Sequence, residues 1–171
     1  MIYKSDKIVS DDLLEELHED FKSGTMPTKP GGMSGGKDVG DIYNDYRKCT
    51  VMATPVNLWK DIAVQIEEYI GDGSQVNQFD YILYQEGDWF VKHNDTGKSF
   101  PHRKWTTVTL IDVSDDFEGQ GLALYDEEDN EVFPKLKIGE TVIFDSNIYH
   151  EAKPVVKGTR LVLVAWLINN T

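Results

Sequence analysis

The sequence predicts a mainly β fold, a two-sheet jelly roll with two helices ahead of it. From Asn77 onward the chain breaks into short runs rich in β-branched and aromatic residues, separated by turn signals such as Glu86-Gly87-Asp88. That texture belongs to a barrel or sandwich. At least seven such runs follow, enough strands for two facing sheets. Ahead of them, two segments carry their apolar residues at helical spacing instead.

Taken in order, Ser10 suits an N-cap, Asp11 and Asp12 favour the positive end of a helix, and Leu13, Leu14, Leu17 and Phe21 form one apolar stripe. A helix over about residues 10–22 is therefore expected to cover a sheet, with His18 and Asp20 on its surface. The run from Gly24 to Gly40 holds two prolines and many glycines, which predicts a long, mobile connection, either a lid or an insertion without a role. Arg47 to Ala53 reads as a strand. Thr54 and Pro55 then read as an N-cap and first helical residue, opening a helix whose Leu58, Trp59, Ile62, Ile66 and Tyr69 form the buried face until Gly71 and Gly73 end it. Trp59 is expected in the core. Strands are expected at Phe79–Tyr84, Trp89–His93, Trp105–Val113, Leu122–Tyr125, Glu131–Phe133, Thr141–Asp145 and Thr159–Ile168.

Composition narrows the function classes. With 171 residues, 17 basic and 30 acidic side chains and a net charge of -13, the chain reads as one domain that would repel a nucleic-acid backbone. The supporting helices fall at about residues 1–75 and the barrel at about 77–168. The acidic excess suits a basic peptide, although the run Asp126-Glu127-Glu128-Asp129 reads as a solvated hairpin end. A single cysteine, Cys49, excludes an internal disulfide. No leader is evident, and the longest apolar run, Leu161 to Ile168, is too short to span a bilayer. The expectation is a cytoplasmic protein without a membrane partner.

The chemistry gathers around His93-Asn94-Asp95 at the end of a strand-like run. In a strand, residues two apart share a face, so an imidazole and a carboxylate would aim at one point. His150, after the Thr141–Asp145 run, supplies a third donor. Two histidines and one carboxylate on one side of a metal leave the other side open, as in non-haem Fe(II) oxygenases. The chain carries a control, since His18-Glu19-Asp20 has the same spacing in a helix-like segment, where neighbours two apart do not face each other. Ten positions after His150, Arg160 opens an otherwise apolar strand. A guanidinium there either reaches an acidic neighbour on the outer face or points inward and needs an anion.

The order of these residues resembles the Fe(II)/2-oxoglutarate-dependent dioxygenases, specifically the prolyl 4-hydroxylase-like family, from about Asn77 to Leu167. The segment from Tyr84 through Gly87 to His93 and Asp95 is similar to that family's tyrosine, turn glycine and His-x-Asp block. The stretch Arg103-Lys104-Trp105-Thr106, the acidic turn Asp115 to Gly119, and the closing block His150, Pro154, Gly158, Arg160 and Trp166 resemble the remainder. The resemblance implies a double-stranded β-helix (jelly-roll, cupin-like) barrel with two N-terminal supporting helices. It implies His93, Asp95 and His150 as catalytic metal ligands for Fe(II), with Arg160, Tyr84 and Thr106 holding 2-oxoglutarate and Trp166 and Arg103 facing substrate. It also admits ascorbate as a further cofactor.

Two departures accompany the resemblance. Gly119-Gln120-Gly121 stands where relatives commonly show Gly-Gly-Glu, and Leu110 stands where many carry a polar or aromatic side chain. Asp95 implies hydroxylation rather than halogenation, since halogenating relatives replace the carboxylate. The implied reaction takes dioxygen and 2-oxoglutarate to carbon dioxide and succinate while hydroxylating a peptide or protein substrate, peptidyl proline foremost. The alternatives are a dioxygenase acting on a free amino acid or small metabolite, and a non-catalytic jelly-roll module binding through its acidic surface.

Overall fold

A computed structural model describes residues 2–24, 26–31, 46–53 and 56–169, with the backbone alone at Val56. Twelve strands and two helices are described: β1 (Tyr3–Asp6), α1 (Asp11–Lys22), β2 (Thr28–Pro30), β3 (Arg47–Lys48), β4 (Thr50–Met52), α2 (Val56–Ile70), β5 (Gln75–Tyr84), β6 (Trp89–His93), β7 (Arg103–Val113), β8 (Leu122–Tyr125), β9 (Glu131–Val132), β10 (Thr141–Asp145), β11 (His150–Ala152) and β12 (Arg160–Ile168). They form two antiparallel sheets, one ordered β1-β10-β7-β12-β5-β4-β2 and the other β3-β6-β11-β8-β9. This is the expected jelly roll, and among the described residues no ladder closes the two sheets into one.

Side-chain alternation along the central strands separates two cores. On β12, Leu161, Leu163, Ala165 and Leu167 face the helices, joining Leu14 and Leu17 of α1 and Ile62 and Ile66 of α2. Val162, Val164 and Trp166 face the other way, into the space between the sheets with Val108, Leu124, Val142 and Phe144. The helices thus cover the outer face of the larger sheet, and the inner face lines the sandwich. Arg160 shares the parity of Val162 and Trp166, so the pleat that buries the apolar strand also turns its one guanidinium inward.

Several expectations are corrected. Arg47 to Ala53 is not one strand: β3 pairs with β6 in the smaller sheet and β4 with β5 in the larger, with Cys49 at the changeover. Within the Gly24 to Gly40 run, Thr28–Pro30 forms an edge strand on β4, and the remainder, with the lid it suggested, falls largely outside the described residues. So do Thr54 and Pro55. Ser10 precedes α1 without a side-chain capping bond; its backbone N–H instead donates to Gln65 Oε1 of α2 at 2.7 Å, tying the two helices together. Trp59 is partly buried and meets Phe79 edge-on, with centroids 5.3 Å apart. Strands β1, β2 and β11 were not expected. No described helix is long and apolar enough to cross a membrane.

Candidate metal centre

β6 and β11 are neighbours in the smaller sheet, and their register sets His150 directly opposite His93. Opposed residues of an antiparallel pair project to one face, and the two imidazole centroids lie 4.3 Å apart. Each ring is oriented from behind: Nδ1 of His93 lies 2.6 Å from the Val91 carbonyl oxygen, and Nδ1 of His150 lies 3.0 Å from that of Ile148. With the proton on Nδ1 donated to a carbonyl, each Nε2 keeps its lone pair for a metal.

Asp95 reaches the same point by a route other than the strand alternation expected of it. It lies two residues beyond the end of β6, its N–H donates to the Ser146 carbonyl at 2.9 Å, and its Oδ2 accepts a 2.7 Å hydrogen bond from the Thr106 hydroxyl. Held so, Oδ1 lies 3.5 Å from His93 Nε2 and Oδ2 lies 3.4 Å from His150 Nε2. One donor atom from each residue lies within 4.8 Å of the others. Donors held about 2.1 Å from one ion stand roughly 3 to 3.5 Å apart, so the nitrogen and carboxylate donors fit a divalent first-row metal. His18, with the same His-x-Asp spacing, lies elsewhere and faces Asp112 instead.

The charges suit that task. Burial would raise the Asp95 pKa, but the facing His150 and His93 outweigh it and hold the carboxyl well below the usual range; the Trp166 indole N–H, turned toward it without full hydrogen-bond geometry, adds to the effect. Burial drives His150 down to about 4 against the pull of Asp95, leaving a neutral imidazole as donor. Phe90 stacks on His93 at 3.7 Å, and the Arg47 guanidinium lies over the Phe90 ring, 4.6 Å from its centroid. Neither Phe90 nor Arg47 was named as a site residue from the sequence; Arg47 sits on a two-residue strand after a long connection, which carries no pattern that points inward.

From the triad an inner cavity runs between the sheets past Val108, Leu122 and Val162 to Tyr84 and Arg160. Tyr84 is opposite Arg160 in the β5–β12 register, and both are buried. No carboxylate lies within ion-pair distance of Arg160 among the described residues. Burial lowers its pKa, yet an arginine keeps its proton, and a buried charge without a counterion is costly. Its site therefore suits an anion arriving from outside the chain. Leu110 packs inside the sandwich, and Gly121, at φ +72°, leaves a would-be Cβ 3.5 Å from Arg160 Nε. The Gly121 end of the Gly119-Gln120-Gly121 run thus borders the Arg160 guanidinium.

On the other side of the triad lies a cleft of about 380 Å³ walled by Phe90, Phe100, Arg103 and Trp166. Arg103 is sandwiched between the rings of Phe100 (3.7 Å) and Trp166 (4.2 Å), and donates to Gln78 Oε1 at 3.0 Å. Thr106, expected at the cosubstrate, lines the inner cavity, is bonded to Asp95 and lies 3.0 Å from the Ser146 hydroxyl, a neighbour that sequence reasoning missed.

Comparison with known proteins gives the arrangement its context. A PKHD-type hydroxylase of Idiomarina loihiensis is 24% identical over 171 aligned residues, covering 98% of this chain and 77% of its own. Among solved structures, a Trichoplax adhaerens prolyl hydroxylase, in complex with a hypoxia inducible factor peptide fragment, superposes with a TM-score of 0.74 at 17% identity, covering 98% of this chain and 83% of its own. A Pseudomonas putida prolyl-4-hydroxylase gives 0.69 at 16%, covering 99% and 94%. These two structural likenesses speak to the fold. The family model for the 2OG-Fe(II) oxygenase superfamily matches residues 79–168, more than half of the chain and the stretch that holds both histidines, Asp95 and Arg160. On that match the chain belongs to the 2OG-Fe(II) oxygenase superfamily, enzymes that work with ferrous iron and 2-oxoglutarate.

Proposed function

We propose that this enzyme hydroxylates peptidyl proline. His93, Asp95 and His150 hold the iron, Arg160 and Tyr84 receive the far carboxylate of 2-oxoglutarate, and Trp166 and Arg103 border the substrate. The observation that carries the reading is the convergence of three donors, both imidazoles committed at Nδ1, at one end of a buried cavity whose other end is an arginine without an acid. A bidentate guanidinium–carboxylate pair suits that end. When bound together, ferrous iron and 2-oxoglutarate activate dioxygen, the diacid leaving as succinate and carbon dioxide while one oxygen atom enters a substrate C–H bond.

The protein's own residues orient the reactants and exclude water. Thr106 fixes one oxygen of Asp95, the carbonyls of Val91 and Ile148 fix the imidazoles, and Val108, Leu122 and Val162 keep the passage to Arg160 apolar. For the substrate, the aromatic walls Phe90, Phe100 and Trp166 suit a flat, apolar ring. The prolyl hydroxylase neighbours, one of them holding a peptide, favour proline within a chain. Incubation with ferrous iron, 2-oxoglutarate and a panel of proline peptides should give succinate together with one added oxygen on proline, located by tandem mass spectrometry. Oxygen found only on other residues or on free amino acids would overturn the proline assignment.

A further inference from the structure

The chain has three arginines among 17 basic residues. All three are buried and line the cavities around the triad, whereas no described lysine is buried. In a protein with 13 more acidic than basic side chains, a buried arginine would ordinarily find a carboxylate. Arg47 does, facing Asp80 at 4.0 Å. Arg160 does not, and the anion it awaits is the cosubstrate's. Arg103, at the opposite side of the metal centre, is 8% exposed and donates to Gln78 Oε1 at 3.0 Å and to the Asp95 backbone carbonyl at 3.4 Å, but it has no carboxylate within ion-pair distance among the described residues and its Nε has no acceptor.

We propose that Arg103 plays toward the substrate the part that Arg160 plays toward 2-oxoglutarate, and that the substrate is an acidic segment with Asp or Glu beside the modified residue. This rests on the hydroxylase reading of the site. The nearby acids are already committed: Asp80 faces Arg47 and accepts from Gln78, and Asp95 belongs to the metal centre. Lys98, exposed on the rim of the same cleft, adds a second positive group to Arg103. The uncommitted charges of the cleft are therefore positive, opposite in sign to the net charge of the chain. Charges beyond roughly 8 Å are largely screened at physiological salt, so an incoming carboxylate responds mainly to the cleft. A cation placed there would meet Lys98 and Arg103, while Asp80 and Asp95 are held by Arg47 and the metal centre. The acidic surface, which by itself suits a basic peptide, does not describe the site.

Three peptides of equal length around one proline, flanked by Glu, Gln or Lys, test this by anaerobic calorimetry on the enzyme loaded with iron and 2-oxoglutarate. The Glu peptide is expected to bind at least tenfold more tightly than the Gln peptide, with the Lys peptide weakest. Arg103→Gln is expected to erase most of that preference. Lys98→Glu, exposed and safe for folding, should weaken the Glu peptide several-fold and strengthen the Lys peptide. Equal or tighter binding of the Lys peptide, no measurable binding of any of the three, or an unaltered preference in Lys98→Glu would overturn the proposal. Admitting air to the same samples before mass spectrometry separates the two readings: a Glu preference without proline hydroxylation once dioxygen is present overturns the proline assignment alone.

Discussion

The Thr106 hydroxyl donates to Asp95 Oδ2, the carboxylate oxygen that faces His150, from a position with no solvent exposure. The bond joins the larger sheet to the loop after β6, so the aim of the carboxylate depends on the packing of both sheets. Thr106→Val keeps the shape and deletes the donor. Iron affinity should fall about 10- to 100-fold, as for other lost partners of a metal ligand, with little change in melting temperature. Anaerobic ferrous titration checks this, and unchanged affinity would contradict the positioning role.

Removing a donor goes further. His93→Ala or His150→Ala leaves two of three protein donors, and equilibrium dialysis should find no stoichiometric iron at micromolar concentration. Normal turnover by either variant would sink the assignment.

Arg160→Ala should retain iron and lose 2-oxoglutarate. Truncating one partner of a buried charge pair costs about 2–5 kcal/mol, roughly 30-fold or more in affinity. Arg160→Lys should recover part of it, since the charge returns without the planar fork. Calorimetry with 2-oxoglutarate distinguishes all three proteins.

Gly158 adopts φ +75°, and a Cβ there would lie 2.7 Å from Asp116 Oδ1 and 3.0 Å from the Phe117 Cα, besides colliding with the Ser114 hydroxyl. That hydroxyl accepts from the N–H of Thr159, the residue before Arg160. Gly158→Ala should therefore lower stability by at least about 1–3 kcal/mol and weaken 2-oxoglutarate binding together, measured by urea unfolding and calorimetry.

Ile62, fully buried in α2, belongs to the core on the helix side of the larger sheet. Ile62→Ala should cost about 2–5 kcal/mol while iron and 2-oxoglutarate affinities of the folded protein stay as they were. A matching loss of affinity would mean that the two cores are coupled through the sheet.

How much the sequence reveals follows the same physics. Most central strands are legible because their pairing only reinforces a local β preference. Strands β1 and β2 are not: their residues are mostly exposed and polar, and they form because β10 and β4 offer free edges. The metal donors are legible as a set of residue types, but the geometry that unites them is not. The histidines meet through the β6–β11 register, and Asp95 is aimed by Ser146 and Thr106, distant in sequence. The buried threonines of β7 show why alternation is faint there: Thr109 pairs its hydroxyl with Thr141 at 2.7 Å, so a polar residue fills a core position.

Keeping every arginine inside and only lysines among the exposed basic residues described has a chemical consequence. A reagent selective for guanidinium groups and small enough to enter, such as an aliphatic dicarbonyl, would ignore the exterior and label the working interior. Saturating the enzyme with its diacid should shield one of the three positions, and adding the second reactant should shield another, so a mass count of adducts would report which ligands are seated.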